Sequence, residues 1–259
     1  MGIAEWQPDR FDVRLLPHHT LERTRQDQRQ GIYRKDNRHD RADPTIAEKN
    51  GVEVYDVYTG FKWIADVMKK NEGKKNYIGG GEESYGFLCE DFVRDKDAVS
   101  ACAILAEIAA WAKDQGITMY QLLQNIYVQY GFSKEKGISV VKKGKSGAEE
   151  IEAMMKHFRE NPLQEIAGSK VTLFYDYASL KGKDYVENET LTLDMPTTSN
   201  VLQYFTEDGT KVSIRPSGTE PKIKFYCEVH SKVKSLDELP VAEKAGAEKI
   251  EAIKASLGI

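Results

Sequence analysis

The sequence predicts an α/β part followed by an α+β part, and three observations carry that prediction. Residues 52–57 alternate like a short strand and residues 61–70 follow with helical spacing, the strand–helix order of an α/β layer. Residues 170–177, 200–205, 211–214 and 222–230 read as strands and are flanked by helical patterns over 148–160 and 239–257, the order of an antiparallel sheet packed with helices. Lys142-Lys143-Gly144-Lys145-Ser146-Gly147 looks like a linker, which places a boundary near Ser146 and defines parts of 45–146 and 147–259.

The elements follow in order. Thr59-Gly60 ends the first strand. Tyr77-Ile78-Gly79 leads into a glycine-rich loop, Gly80-Gly81-Glu82-Glu83-Ser84-Tyr85-Gly86. Asp97 is placed to cap a helix running to Gln115, with Val99, Cys102, Leu105, Ile108 and Ala112 on one side and Gly116 as its stop. Thr118 starts another, carrying Leu122, Leu123, Ile126 and Tyr130 before Gly131, and the short connection makes the two helices neighbours. Asn161-Pro162 closes the helix over 148–160, and Glu207-Asp208-Gly209-Thr210 is a hairpin turn.

Composition narrows the function. The 259 residues suffice for one large domain or two ordinary ones, and 40% hydrophobic residues can build a core. Lys+Arg 37 against Asp+Glu 41 gives a net charge of −4, so no global positive field recommends nucleic acid as the main partner. No apolar run approaches membrane-spanning length and no signal peptide opens the chain, so a cytoplasmic protein without membrane contact is expected. Cys89, Cys102 and Cys227 are odd in number, far apart and without ligand spacing; they are expected to be reduced, buried and structural. Trp63 and Trp111 are expected in the core, and His157 and His230 lack the spacing of a metal site or triad.

Residues 1–44 stand apart. They hold eight Arg and one Lys, whereas the rest holds three Arg and twenty-five Lys. Eight acids nearly cancel those nine basic residues, which speaks against a phosphate-neutralising arm. A second reading treats the stretch as translated out of frame. Codons for residues 32–44 permit the shifted string F-I-V-K-T-I-V-T-T-E-L-I, a β-branched run, and those for 5–20 permit N-G-N-Q-T-A-L-M-F-V-Y-Y-H-I-T. On that reading 1–44 is a non-native segment outside the fold, and the first sheet lacks a buried strand and exposes an edge.

Two segments carry chemistry. In Arg215-Pro216-Ser217-Gly218-Thr219-Glu220-Pro221-Lys222, Arg215 offers a planar fork of donors, Ser217 and Thr219 add hydroxyls, and Gly218 lets main-chain N–H groups approach an anion. The same residues also suit a rigid turn between strands. In Gly81-Glu82-Glu83-Ser84-Tyr85-Gly86, carboxylates and a hydroxyl between glycines suit sugar hydroxyls, or simply a solvated acidic turn. Arg94-Asp95-Lys96-Asp97 reads as a cap with surface ion pairs or as part of a site, and Thr59-Gly60-Phe61-Lys62 is a strand-to-helix junction where anions can sit.

Taken together and in order, Tyr58-Thr59-Gly60-Phe61-Lys62-Trp63, Gly81-Glu82-Glu83-Ser84-Tyr85-Gly86, Arg94-Asp95-Lys96-Asp97 and Arg215-Pro216-Ser217-Gly218-Thr219-Glu220-Pro221 resemble the C-terminal part of the α-D-phosphohexomutases, the phosphoglucomutase/phosphomannomutase family. Gly-Glu-Glu-Ser is closer to phosphoglucomutases than to the bacterial phosphomannomutases, and the shifted strings resemble the start of the family's third domain. The resemblance covers roughly two-fifths of such an enzyme. It implies a partial third α/β domain and a fourth, α+β domain. It further implies that Thr59, Gly60, Glu82, Ser84 and Lys96 bind the sugar and that Arg215, Ser217, Gly218 and Thr219 hold the non-transferring phosphate.

Full-length relatives move a phosphoryl group between C1 and C6 of glucose or mannose phosphate, using a phosphoserine in T-x-S-H-N-P and Mg²⁺ held by D-G-D-x-D-R. Neither motif occurs here, so no catalytic residue and no Mg²⁺ ligand is assigned and the chain alone is expected to be inactive. The competing readings are a stand-alone phosphosugar-binding module and an interaction protein whose basic start binds nucleic acid.

Overall fold

The structure, a computed structural model, describes residues 31–36, 42–82, 86–142, 144–218 and 220–259. Residues 1–30, most of the stretch read as out of frame, lie outside the described residues. The chain forms two compact units that divide between Gly131 and Phe132.

The first unit runs β1 (Gly31–Asp36), α1 (Ala42–Lys49), β2 (Glu53–Val57), α2 (Phe61–Asn71), β3 (Asn76–Gly81), β4 (Phe87–Cys89), α3 (Ala98–Asp114) and α4 (Met119–Tyr130). Its sheet has the order β2-β1-β3-β4, with β1 parallel to both neighbours and β4 antiparallel to β3. This corrects the expectation that residues 1–44 stand outside the fold and leave the sheet short of a strand. Residues 31–36 fill the central slot, in register from Ile32 opposite Glu53 to Asp36 opposite Val57. The physical reason is that ladder bonds are made by the main chain. Facing edges of β2 and β3 present N–H and C=O groups that any extended segment satisfies, whatever its side chains.

Val57, Phe61, Ile64, Met68, Tyr77 and Leu88 form the core between this sheet and α2. Trp63 is half-buried against it. Both predicted caps form. Asp97 accepts from the N–H groups of Val99 and Ser100, and Thr118 and Gln121 make a reciprocal capping box. The neighbouring helices share a cluster of Ile108, Ala112, Leu122 and Ile126, with Trp111 packed on it. Val99 and Cys102, expected on the buried side, are exposed because α3 buries residues only in its C-terminal half.

The second unit runs β5 (Phe132–Val141), α5 (Gly144–Glu160), β6 (Glu165–Ile166), β7 (Ser169–Asp176), β8 (Lys181–Asp184), β9 (Glu189–Thr192), β10 (Leu202–Thr206), β11 (Lys211–Pro216), β12 (Lys222–Ser231) and α6 (Leu239–Leu257). The sheet order is β5-β12-β11-β10-β7-β8-β9, antiparallel throughout, with β6 paired to β7. The units therefore divide before β5 rather than near Ser146. Strand β5 pairs with β12 along its whole length, from Phe132 opposite Ser231 to Val141 opposite Lys222. The expected linker is largely helix: α5 begins at Gly144 and docks through Ile151, Met155 and Phe158. The outer strands carry charge, Lys134, Glu135 and Lys136 on β5 and Glu189 on β9.

One sheet face carries Leu202, Tyr204, Val212, Ile214, Ile223 and Phe225 and packs with α5 and with Ile253 and Leu257 of α6. Each such side chain contributes about 1.5–3 kcal/mol on burial. A buried hydrogen bond ties α5 to the sheet. Four residues beyond Phe158 stands Pro162, which has no N–H, so the Phe158 carbonyl cannot accept the usual helical bond. The Tyr204 hydroxyl donates to that carbonyl at 2.9 Å. Burial pushes this phenol well above its ordinary pKa, so it stays a donor.

The β10–β11 turn is pinned to α6. Asp208 pairs with Lys249 at 2.7 Å and accepts from the Thr206 hydroxyl at 2.6 Å and the Thr210 N–H at 3.1 Å. Burial pushes the Asp208 carboxyl up, but Lys249, Thr206 and Thr210 outweigh it and hold it well below the usual range. Cys227 is buried, Cys89 half-buried and Cys102 exposed, which corrects the expectation of three buried thiols. Burial pushes Cys89 up to about 11 and Cys227 to about 12, so both remain protonated thiols at neutral pH. Among the described residues no helix is long and apolar enough to cross a membrane.

Replacing Tyr204→Phe is expected to cost about 1–3 kcal/mol in urea unfolding, because the buried Phe158 carbonyl loses its donor. A depressed carboxyl pKa stabilises the fold above the unfolded value, roughly pH 4, and that contribution is lost as pH falls below it. Urea titrations from neutral to acid pH should show a shallower acid limb in Asp208→Asn than in the wild type.

Candidate functional site

In the first unit the chain turns sharply between β2 and α2. Gly60 has φ 113, a backbone region that favours glycine. Its N–H donates to Glu82 Oε1 at 2.9 Å. The anion at this strand-to-helix junction is therefore the protein's own carboxylate. The Glu82 N–H donates to the Gly86 carbonyl at 2.7 Å and closes the glycine-rich loop at its base.

Lys96 reaches the same place from the segment between β4 and α3. The Asp97 N–H donates to the Phe87 carbonyl at 2.9 Å and its side chain caps α3, so the residue after Lys96 is fixed by both its main chain and its side chain. Its ammonium lies 5.8 Å from the centre of the Phe61 ring and 3.2 Å from Asp95. The Lys96 N–H and ammonium hold the Asp95 carboxyl below its ordinary pKa, and bonds from Ser100 do the same for Asp97. Arg94 pairs with Glu72 at 2.6 Å. Thus Gly60, Glu82 and Lys96 come together, Thr59 is half-buried beside them in sequence, and Ser84 lies outside the described residues.

In the second unit the segment after β11 is a closed loop. The Ser217 N–H donates to the Lys222 carbonyl at 2.8 Å, and the Lys142 N–H donates to Pro221 at 2.9 Å. A cavity of about 770 Å³ opens between this loop and α5, with Ala148, Met155, Arg159, Asn200, Ser217 and Gly218 among its walls. The Arg159 guanidinium is fixed there by Asp176 at 3.1 Å and Asn200 at 2.8 Å. Arg215 is not among the cavity's walls. Alternation along β11 sets Arg215 on the face of Lys211 and Ser213, opposite the core face of Val212 and Ile214. Thr219 lies outside the described residues.

The register adds a residue that the motifs did not flag. Arg215 stands directly opposite Lys224, which stands opposite Ser139 on β5, so the two cations share one face. Like charges opposite each other are unfavourable unless an anion joins them. Glu220 pairs with Lys222, and the charge of Lys224 also acts on it and helps to hold its carboxyl below the ordinary pKa, so it screens this pair only from the loop side. The signal was in the sequence: a hairpin around 217–221 forces residues 215 and 224 to face one another.

Two family descriptions match the chain: phosphoglucomutase/phosphomannomutase alpha/beta/alpha domain III over residues 21–130, and the C-terminal domain of the same family over 140–246. The chain belongs to the phosphoglucomutase/phosphomannomutase family. Phosphoglucomutase of Staphylococcus aureus strain MRSA252 is 40% identical over 203 residues, 78% of this chain and 36% of that protein. The strain N315 phosphoglucomutase is 39% identical over 210 residues, with the same coverage. The chain therefore spans about a third of the length of these relatives.

Among solved structures, the open form of Paramecium pp63/parafusin, a phosphoglucomutase, superposes with TM-score 0.56 at 21% identity, covering 94% of this chain and 41% of that one. A phosphoglucomutase/phosphomannomutase family protein from Burkholderia thailandensis gives TM-score 0.53 at 17% identity, covering 96% and 41%. These likenesses agree on the fold expected from the sequence, an α/β domain followed by an α+β domain.

Proposed function

We propose that this chain supplies the sugar-binding and phosphate-binding portions of a phosphohexomutase and does not turn over substrate by itself. Its ligand is a hexose phosphate. The first unit receives sugar hydroxyls at Glu82 and Lys96, with Thr59, Gly60 and Ser84 lining the same loops. In the second, Arg215 and Lys224 with the loop carrying Ser217, Gly218 and Thr219 hold the phosphate that is not transferred. The observation that supports this most is the juxtaposition of Arg215 and Lys224 beside a hydrogen-bonded loop, a paired positive charge that a dianion would relieve.

The inactivity reading rests on the chain's own residues. It contains no Ser-His-Asn-Pro and no Asp-Gly-Asp. Among the described residues no three His, Cys, Asp or Glu side chains gather in one place.

Calorimetry of the full chain with glucose 6-phosphate is expected to show binding, weakened about 10- to 100-fold in Arg215→Ala. No heat with the wild type, or an unchanged signal in the variant, would reject the phosphate assignment. A coupled assay with glucose 1-phosphate and this chain alone is expected to show no turnover; robust turnover would overturn the inactivity reading.

A further inference from the structure

The sugar reading assigns Glu82 a contact but does not say what aims it. Three features converge on its carboxylate. Oε1 is held by the Gly60 N–H at 2.9 Å. The Glu82 N–H is bonded to the Gly86 carbonyl at 2.7 Å, so residues 82 and 86 are clamped together through the main chain. And Gly86 is where two side chains meet. A Cβ placed on it would stand 2.7 Å from Glu82 Oε2 and 3.0 Å from Lys96 Cδ. The first contact is closer than real side chains come and the second is tight, so a side chain at residue 86 would displace the Glu82 carboxylate and press on the lysine stem from the places they now occupy.

We infer that Gly86 and the Gly60 N–H are positioning groups for Glu82 and Lys96. Neither touches the sugar in this role. The N–H at the start of α2 fixes one carboxylate oxygen, and the missing side chain at residue 86 lets the other oxygen and the lysine stem lie side by side. Glutamate and lysine side chains are otherwise free rotors, and holding them before the ligand arrives removes part of the ordering cost of binding. The distance along the chain between Gly60 and Glu82 also makes this a tie between β2–α2 and β3–β4, so the sugar-facing loop is set by the sheet rather than by its own turn. This deepens the sugar-binding reading and rests on it only for the ligand; the hydrogen bond and the packing are tested without one.

The test uses amide hydrogen exchange of the full chain at neutral pH, read residue by residue in ¹⁵N–¹H spectra. The Gly60 amide is expected to be protected in the wild type and to exchange about tenfold faster in Glu82→Ala, which removes its acceptor. In Gly86→Ala the added methyl is expected to dislodge the carboxylate. Gly60 protection is then lost and affinity for glucose 6-phosphate falls about tenfold, while affinity for inorganic phosphate is unchanged. Uniform loss of both affinities would signal general damage and overturn the positioning role. A Gly60 amide that is unprotected in the wild type, or equally protected in Gly86→Ala, overturns it as well. Should Gly86→Ala fail to fold, the Glu82→Ala comparison still decides whether the Gly60 bond exists. Loss of Gly60 protection in Gly86→Ala, in a protein that binds no hexose phosphate at all, would reject the proposed function and leave the positioning intact.

Discussion

The pair of parallel ladders on either side of residues 31–36 is the constraint on which the first unit depends. Both neighbours, β2 and β3, lead into the loops that bear Gly60 and Glu82, and the central strand sets their separation. Main-chain hydrogen bonding is indifferent to sequence, whereas burial is not. The central strand, Gly31–Asp36, meets the first requirement through its main-chain pairing with both neighbours. The Gly60–Glu82 bond bridges the strand ends that this ladder brings into range.

The second unit is organised differently. Its sheet is antiparallel and locally connected, and the loop after β11 is a hairpin end braced by bonds from Ser217 and Lys142. Helix α5 walls the cavity beside that loop and is held to the sheet both by its apolar stripe and by Tyr204 at its C-terminal turn. Arg159 adds a third tie, to Asp176 and Asn200. The loop is thus presented by elements that are tied to one another on several sides.

Much of this was legible in the residues. Asp97 and Thr118 announce helix starts through side-chain chemistry that acts within three residues, and α6 keeps a single apolar stripe. The β10–β11 hairpin is marked by its Asp-Gly turn. Strands β8 and β9 were not legible, because Lys181–Asp184 and Glu189–Thr192 carry little apolar pattern and are held by ladder bonds instead. Strand β5 hid behind Lys134-Glu135-Lys136, and β1 behind charges that contradict its position. In the site, residue types pointed to Glu82, Lys96 and Arg215. The contact that aims Glu82 joins segments far apart in the chain, and the role of Gly86 is visible only as absent volume.

The charged rims of the second sheet have one further consequence. Strands β5 and β9 form its two ends among the described residues, and an open strand edge invites a neighbouring molecule to extend the ladder. Alternating Lys134, Glu135 and Lys136 on one rim and Glu189 on the other would have to shed their hydration for a copy to dock there. The second unit is thereby disfavoured from polymerising edge to edge.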